Sequence, residues 1–91
     1  MQESRVDWIK KGKVVKIRGW KSMETEFGVD EDGDIDCHLS FTQEMLHLCG
    51  RVITITTDME ISYDITGCFT VYDDYGQPWM ITEDMLKPAN D

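Results

Sequence analysis

Apolar and polar residues alternate most clearly in the first and second halves of this chain's β-branched stretches. Val14-Val15-Lys16-Ile17-Arg18 sets Val15 and Ile17 on one face and Val14, Lys16 and Arg18 on the other, the period-two pattern of a half-buried strand. Val52-Ile53-Thr54-Ile55-Thr56 alternates and is β-branched throughout, which suits a pleated surface. Ile61-Ser62-Tyr63-Asp64-Ile65 alternates again, and Gly67 interrupts the chain before Cys68-Phe69-Thr70-Val71-Tyr72. The turn cluster Asp73-Asp74-Tyr75-Gly76-Gln77 leads into Pro78-Trp79-Met80-Ile81, a strand whose opening proline suits a first or edge position. Thr82-Glu83-Asp84-Met85 has room for one helical turn before Lys87-Pro88 ends the fold.

Ser40 to Gly50 carries the clear helical signal. Ser40 can cap, Gln43 follows three residues later, and Gly50 stands where a helix ends. Phe41, Met45, Leu46, Leu48 and Cys49 form a short apolar stripe. Residues 4–11, with Trp8 and Ile9, read as a lead-in turn or short helix. Gly19 to Asp36 is a long polar excursion, longer than a usual connection, and reads as a loose hairpin with Phe27 and Ile35 pinned inward.

Five or six short strands on a small chain gain by closing into a barrel, which removes their edges. The expected fold is therefore mainly β: a small antiparallel barrel with a long first loop, one short helix and a terminal 3₁₀ turn. Val15, Ile17, Ile53, Ile55, Phe69, Val71 and Ile81 should point inward. The 91 residues form one domain, with a lead-in at 1–11, the barrel at 12–88 and a tail at 89–91.

Charge changes the picture. Of nine basic residues, seven lie in the first 21 positions: Arg5, Lys10, Lys11, Lys13, Lys16, Arg18 and Lys21. Only Glu3 and Asp7 oppose them, so this stretch carries +5 in a chain of net charge −9. A basic lip on an acidic body points to binding. The overall charge disfavours direct binding to duplex DNA. No apolar run is long enough for a membrane span, and no apolar core follows Met1-Gln2-Glu3-Ser4-Arg5, which does not read as a signal peptide. Cys37, Cys49 and Cys68, an odd number without paired spacing, fit a reducing cytoplasm.

No constellation marks catalysis or a resident cofactor. Asp30-Glu31-Asp32-Gly33-Asp34-Ile35-Asp36 begins like an EF-hand loop, but the required glycine and bidentate glutamate fall on Ile35 and Phe41. The acidic loop tip is the plainer reading, with a weak divalent site as the alternative. Cys37-His38, His47-x-Cys49 and Cys68 lack the spacing of a structural zinc site. Two histidines without a nucleophile elbow do not suggest a triad. Trp8, Trp20, Tyr75 and Trp79 are the candidate functional aromatics, with Trp79 and Trp8 also readable as core residues. Trp20 follows Lys16 and Arg18, and indole beside basic side chains suits a nucleobase and its phosphate.

The ending Trp79-Met80-Ile81-Thr82-Glu83-Asp84-Met85-Leu86 resembles the strand, 3₁₀ turn and last strand that close SH3-like barrels. The spaced pattern Val14-x-x-Ile17-Arg18, Phe41-x-x-x-Met45, Gly50-Arg51, Trp79 and Glu83-Asp84-Met85-Leu86 also resembles small SH3-like proteins encoded by phages and prophages. The resemblance covers most of residues 12–88. It implies a small, non-enzymatic protein of the host cytoplasm, of a kind that includes counter-defence proteins. The aromatic groove that signalling SH3 domains use for polyproline is not matched: their middle-strand Trp-Trp falls on Ile61-Ser62-Tyr63, and their Pro-x-x-Tyr shelf on Thr82-Glu83-Asp84-Met85.

The leading expectation is a sponge that holds an anionic ligand such as a signalling nucleotide, through Lys16, Arg18, Trp20, Lys21 and Trp79. Replacing Arg18 should then weaken binding and barely affect stability. The alternative is an acidic inhibitor or adaptor that docks a basic host protein or mimics nucleic acid; a structural accessory module is the third. A homo-oligomer with sites between subunits would favour the first, a monomer the second.

Overall fold

The computed structural model describes residues 7–89. Arg5 of the basic lip, the start of the lead-in and the end of the tail lie outside the described residues. Strand β1, Val14–Ile17, is followed by helix α1, Trp20–Phe27. Strands β2, Ile35–Cys37, and β3, Leu39–Phe41, form a tight hairpin turned by His38 at φ 78°. A 3₁₀ segment, Gln43–Leu48, leads to β4, Val52–Thr54, and helix α2, Thr57–Thr66. Strands β5, Cys68–Tyr72, and β6, Pro78–Thr82, form a hairpin, and a 3₁₀ turn, Glu83–Met85, delivers β7, Leu86–Pro88.

These strands make three separate antiparallel ladders, ordered β4-β1-β7, β2-β3 and β5-β6. The expected closed barrel does not form; the fold is a small mixed α and β structure with helix and strand in similar measure. The main cause lies at residues 61–65, expected as a strand and found inside α2. Thr56 accepts a hydrogen bond from the Met59 N–H at 3.2 Å, which satisfies a first-turn donor. Asp58 and Glu60 complement the positive end of the helix. At the other end Gly67, at φ 84°, returns its N–H to the Tyr63 carbonyl. These end signals outweigh the alternation between them. Tyr63 goes into the core while Ile61 and Ile65 face outward. No strand then remains to join β4 to β5, and α2 packs along β5 instead.

The excursion at 19–36 is also more ordered than expected. Trp20, Met23 and Phe27 recur at helical spacing, with Met23 fully buried and its two neighbours packed against the core. Past Gly28, Asp30 Oδ1 accepts from the N–H groups of Asp32 and Asp34, and Asp34 in turn accepts from the Gln43 N–H. The acidic loop is thus folded on itself and tied to the start of the 3₁₀ segment. That segment replaces the expected α-helix. Its cap position is Thr42, because Ser40 is paired with Asp36 in the β2-β3 hairpin.

The core matches the strand-face assignment. All seven residues expected inward are buried, and Ile9, Met23, Ile35, Phe41, Leu48, Tyr63 and Met85 join them. The expected ending is present too: β6, a 3₁₀ turn, then β7, which returns antiparallel to β1 with Ile17 opposite Leu86 and Lys16 opposite Lys87. Among the described residues no helix is long and apolar enough to cross a membrane.

Candidate functional site

The five residues expected to bind do not form one site. Lys16 lies on the outward face of β1, the middle strand of its ladder, with Val52 opposite on β4 and Lys87 opposite on β7. Lys21 is exposed on α1, 3.7 Å from Glu24. Trp20 begins α1 and tilts against Phe41, ring centroids 6.2 Å apart, so it serves the core more than a ligand. Trp79 belongs to the β5-β6 hairpin, where its indole N–H donates to Asp73 Oδ2 at 2.9 Å.

Arg18 is not the exposed cation its place after Lys16 suggests, for its side chain is only 16% exposed. It donates to the Asp84 carbonyl at 3.0 Å, to Ser22 Oγ at 3.0 and 3.2 Å, and to Glu26 Oε1 at 2.6 Å. Its guanidinium also lies 5.5 Å from the Phe27 ring centre. The planar fork is used to tie β1, α1 and the second 3₁₀ turn together. Arg18→Ala is therefore expected to cost roughly 1.5–3 kcal/mol of stability, the range for hydrogen bonds to charged groups, and to leave unchanged any anion binding carried by other residues. Denaturant titration and calorimetry of the same variant check both halves. A stable variant with weakened binding would restore the sequence-based assignment.

Two arrangements emerged that the sequence did not single out. The first is centred on Asp73, whose side chain is 3% exposed. Oδ1 accepts from the N–H groups of Tyr75 and Gln77, and Oδ2 from Trp79 Nε1 and His47 Nε2, at 2.8–3.0 Å. The Trp79 indole, helped by the Gln77, His47 and Tyr75 donors and against the cost of burial, holds this carboxyl well below the usual range. The His47 ring meets Trp79 edge-on, centroids 5.8 Å apart. A histidine-carboxylate pair resembles part of a catalytic triad, but this carboxylate is filled by four donors that hold the hairpin turn and dock the 3₁₀ segment on it. Its chemistry is that of a structural pin. Asx-type bonding from Asp73 to residues two and four ahead was the one local signal available.

The second is a groove of about 660 Å³ where the lead-in meets the end of β7. Among the described residues Trp8, Val14, Pro88 and Ala89 form its apolar walls, and Asp7, Gly12 and Lys13 line it as well. Beside it runs a basic face. Val14 and Lys16 share the outward side of β1, and Lys87 stands directly across from Lys16. Lys10, Lys11 and Lys13 are exposed where the chain enters β1. None of these five lysines has a carboxylate partner among the described residues. Like charges directly opposed on one face of an antiparallel pair destabilise it, and local rules are broken in this way mainly where function asks for it. Lys87 was missed because only the return of β7 to β1 brings it there.

No known family model, curated protein or solved structure matches the chain. Nothing in these comparisons identifies an SH3-like or a phage-encoded family.

Proposed function

We propose that this protein is a non-enzymatic binding protein that holds an anionic ligand on the face formed by Lys16, Lys87 and the neighbouring Lys13, Lys10 and Lys11. The opposed Lys16–Lys87 pair carries this reading, because an anion seated between the two ammonium groups turns a repulsion into two charge-assisted contacts. Lys16 is retained from the sequence-based set. Arg18 and Trp79 are set aside, since their donors are committed within the fold, and Trp20 and Lys21 lie on α1 rather than on this face. The ending β6–3₁₀–β7, with β7 beside β1, supports reading the three ladders as an opened SH3-like arrangement. In this reading the protein sequesters its ligand, as a phage-encoded sponge acting on a signalling nucleotide in the host cytoplasm does.

Inorganic tripolyphosphate is a suitable probe. Calorimetry should show binding that weakens from about 50 to 200 mM salt, as exposed charge pairs are screened. Lys87→Glu places opposite charges across the ladder. It should raise stability by roughly 0.2–1 kcal/mol and weaken tripolyphosphate binding at least tenfold. Unchanged binding in this variant, or none in the parent protein, would remove the reading. The acidic-inhibitor alternative predicts instead that the parent protein ignores polyphosphate and that reversing Asp30, Asp32 and Asp34 abolishes a protein contact.

A further inference from the structure

The groove and the lysine pair are parts of one surface. Val14 lines the groove and lies two residues from Lys16 on the same face of β1, and same-face residues on a strand repeat about 6.6–7 Å apart. Across the ladder, the Ala89 N–H donates to the Val14 carbonyl at 3.2 Å, so Ala89, another groove residue, stands beside Val14 as Lys87 stands beside Lys16. One step along the strands therefore leads from an apolar recess walled by an indole to two ammonium groups without a carboxylate partner among the described residues. A bare phosphate would use only the lysines. An uncharged aromatic would use only the recess and leave the like charges opposed.

We infer that the occupant is a nucleotide, with its base in the groove against Trp8 and its phosphates on Lys16 and Lys87. The volume of the groove lies within the range of small-molecule sites, and stacking of a base on an aromatic side chain is tolerant of base identity. Trp8 is partly buried against the core, so its orientation is held before the ligand arrives. Lys13, at the groove's edge, adds a third cation, and Asp7 gives the rim an acceptor for a donor group on base or sugar. The Trp20 and Arg18 stacking arrangement expected from the sequence is replaced by one in which a different tryptophan reads the ring.

This inference rests on the anion-binding reading above, and the experiment separates the two. Titration calorimetry compares tripolyphosphate, adenosine and the four common ribonucleoside triphosphates on the full chain. At least one triphosphate should bind ten or more times tighter than both tripolyphosphate and adenosine. Because removing Trp8 could disturb folding, the groove is instead filled by Ala89→Phe, with circular dichroism confirming the fold. This variant should lose the nucleotide preference and keep its tripolyphosphate affinity, whereas Lys16→Glu should weaken both ligands. If tripolyphosphate binds and no nucleotide binds tighter, or if Ala89→Phe leaves nucleotide binding intact, the base-binding groove is wrong and the anion face survives. Binding of a single-stranded oligonucleotide without any mononucleotide binding also overturns it. If no anion binds, both readings fall together.

Discussion

Asp73→Ala is expected to lower the melting temperature by on the order of 10–20 °C, because a domain of this size shifts by about 4–8 °C for each kcal/mol lost. The carboxylate it removes is buried and accepts four hydrogen bonds. Truncation removes at once the acceptor shared by the N–H groups of Tyr75 and Gln77 in the hairpin turn and the indole N–H of Trp79, and hydrogen bonds to a charged acceptor are the stronger ones. It also frees His47, hence the 3₁₀ segment, from the β5-β6 hairpin. Asp73→Asn keeps an acceptor oxygen without the charge and should fall between the two. Asp74, next along the chain, meets Arg51 at 3.1 Å with its own side chain largely exposed, and Asp74→Ala should change little. Thermal melts of the three variants decide the matter; similar melting points for Asp73→Ala and Asp74→Ala would show that the pin is not needed.

The same residue sets a pH dependence. Its carboxyl is held below the ordinary value in the folded state, chiefly by the Trp79 indole N–H. A depressed folded-state pKa contributes stability that is complete above the unfolded value, about 3.9, and is lost as pH falls toward the folded one. The Asp73 contribution should thus fade progressively below about pH 5. Asp84 works in the opposite direction, since burial, with Glu83 and Glu26 nearby, raises its pKa and makes protonation favour the fold. Subtracting the Asp73→Asn curve from that of the parent isolates the Asp73 contribution.

How much could be read in the sequence depended on whether the deciding contacts were local. The inward faces of the strands were legible at Val15, Ile17, Ile53, Ile55, Phe69, Val71 and Ile81, since burial on one side imposes alternation directly. Ile61-Ser62-Tyr63-Asp64-Ile65 carries that pattern too, yet only Tyr63 is buried among its apolar residues. There the signal lay outside the run, in Thr56 and Gly67, which cap a helix too short for its period to be plain. Gly19 and Gly28 likewise bracket α1, although as isolated glycines they read as loop punctuation. For the proposed site, the outward position of Lys16 was legible because its own strand turns it there. Lys87 and the Trp8 groove were not, because they arise where β7 and the lead-in meet β1, far apart in sequence. Arg18 shows the converse: a clustered charge suggested a ligand, while the acceptors that claim it, Glu26 and the Asp84 carbonyl, become visible only in the fold.

Ile55→Ala should destabilise the protein by about 2–5 kcal/mol, the range for deleting a large aliphatic side chain from a close-packed core. Ile55 is 1% exposed, and its backbone locks the start of the sheet: its N–H donates to the Lys13 carbonyl, and its own carbonyl accepts from Gly12, both at 2.9 Å. The side chain therefore fills the core beneath the turn that carries Lys13 to the groove. Ile55→Val removes a single methylene and should cost about 0.5–1.5 kcal/mol. Val52→Ala, on the outward face of β4 just before Ile55, should stay within about 0.5 kcal/mol of the parent. Denaturant midpoints for the three variants test this face assignment together, and equal losses at positions 52 and 55 would contradict it. A collapse at Ile55 should also slacken the turn at Gly12 and Lys13. Tripolyphosphate binding is then expected to weaken in Ile55→Ala even where the variant remains folded, whereas Val52→Ala keeps it; this links the buried end of the sheet to the charged face above it.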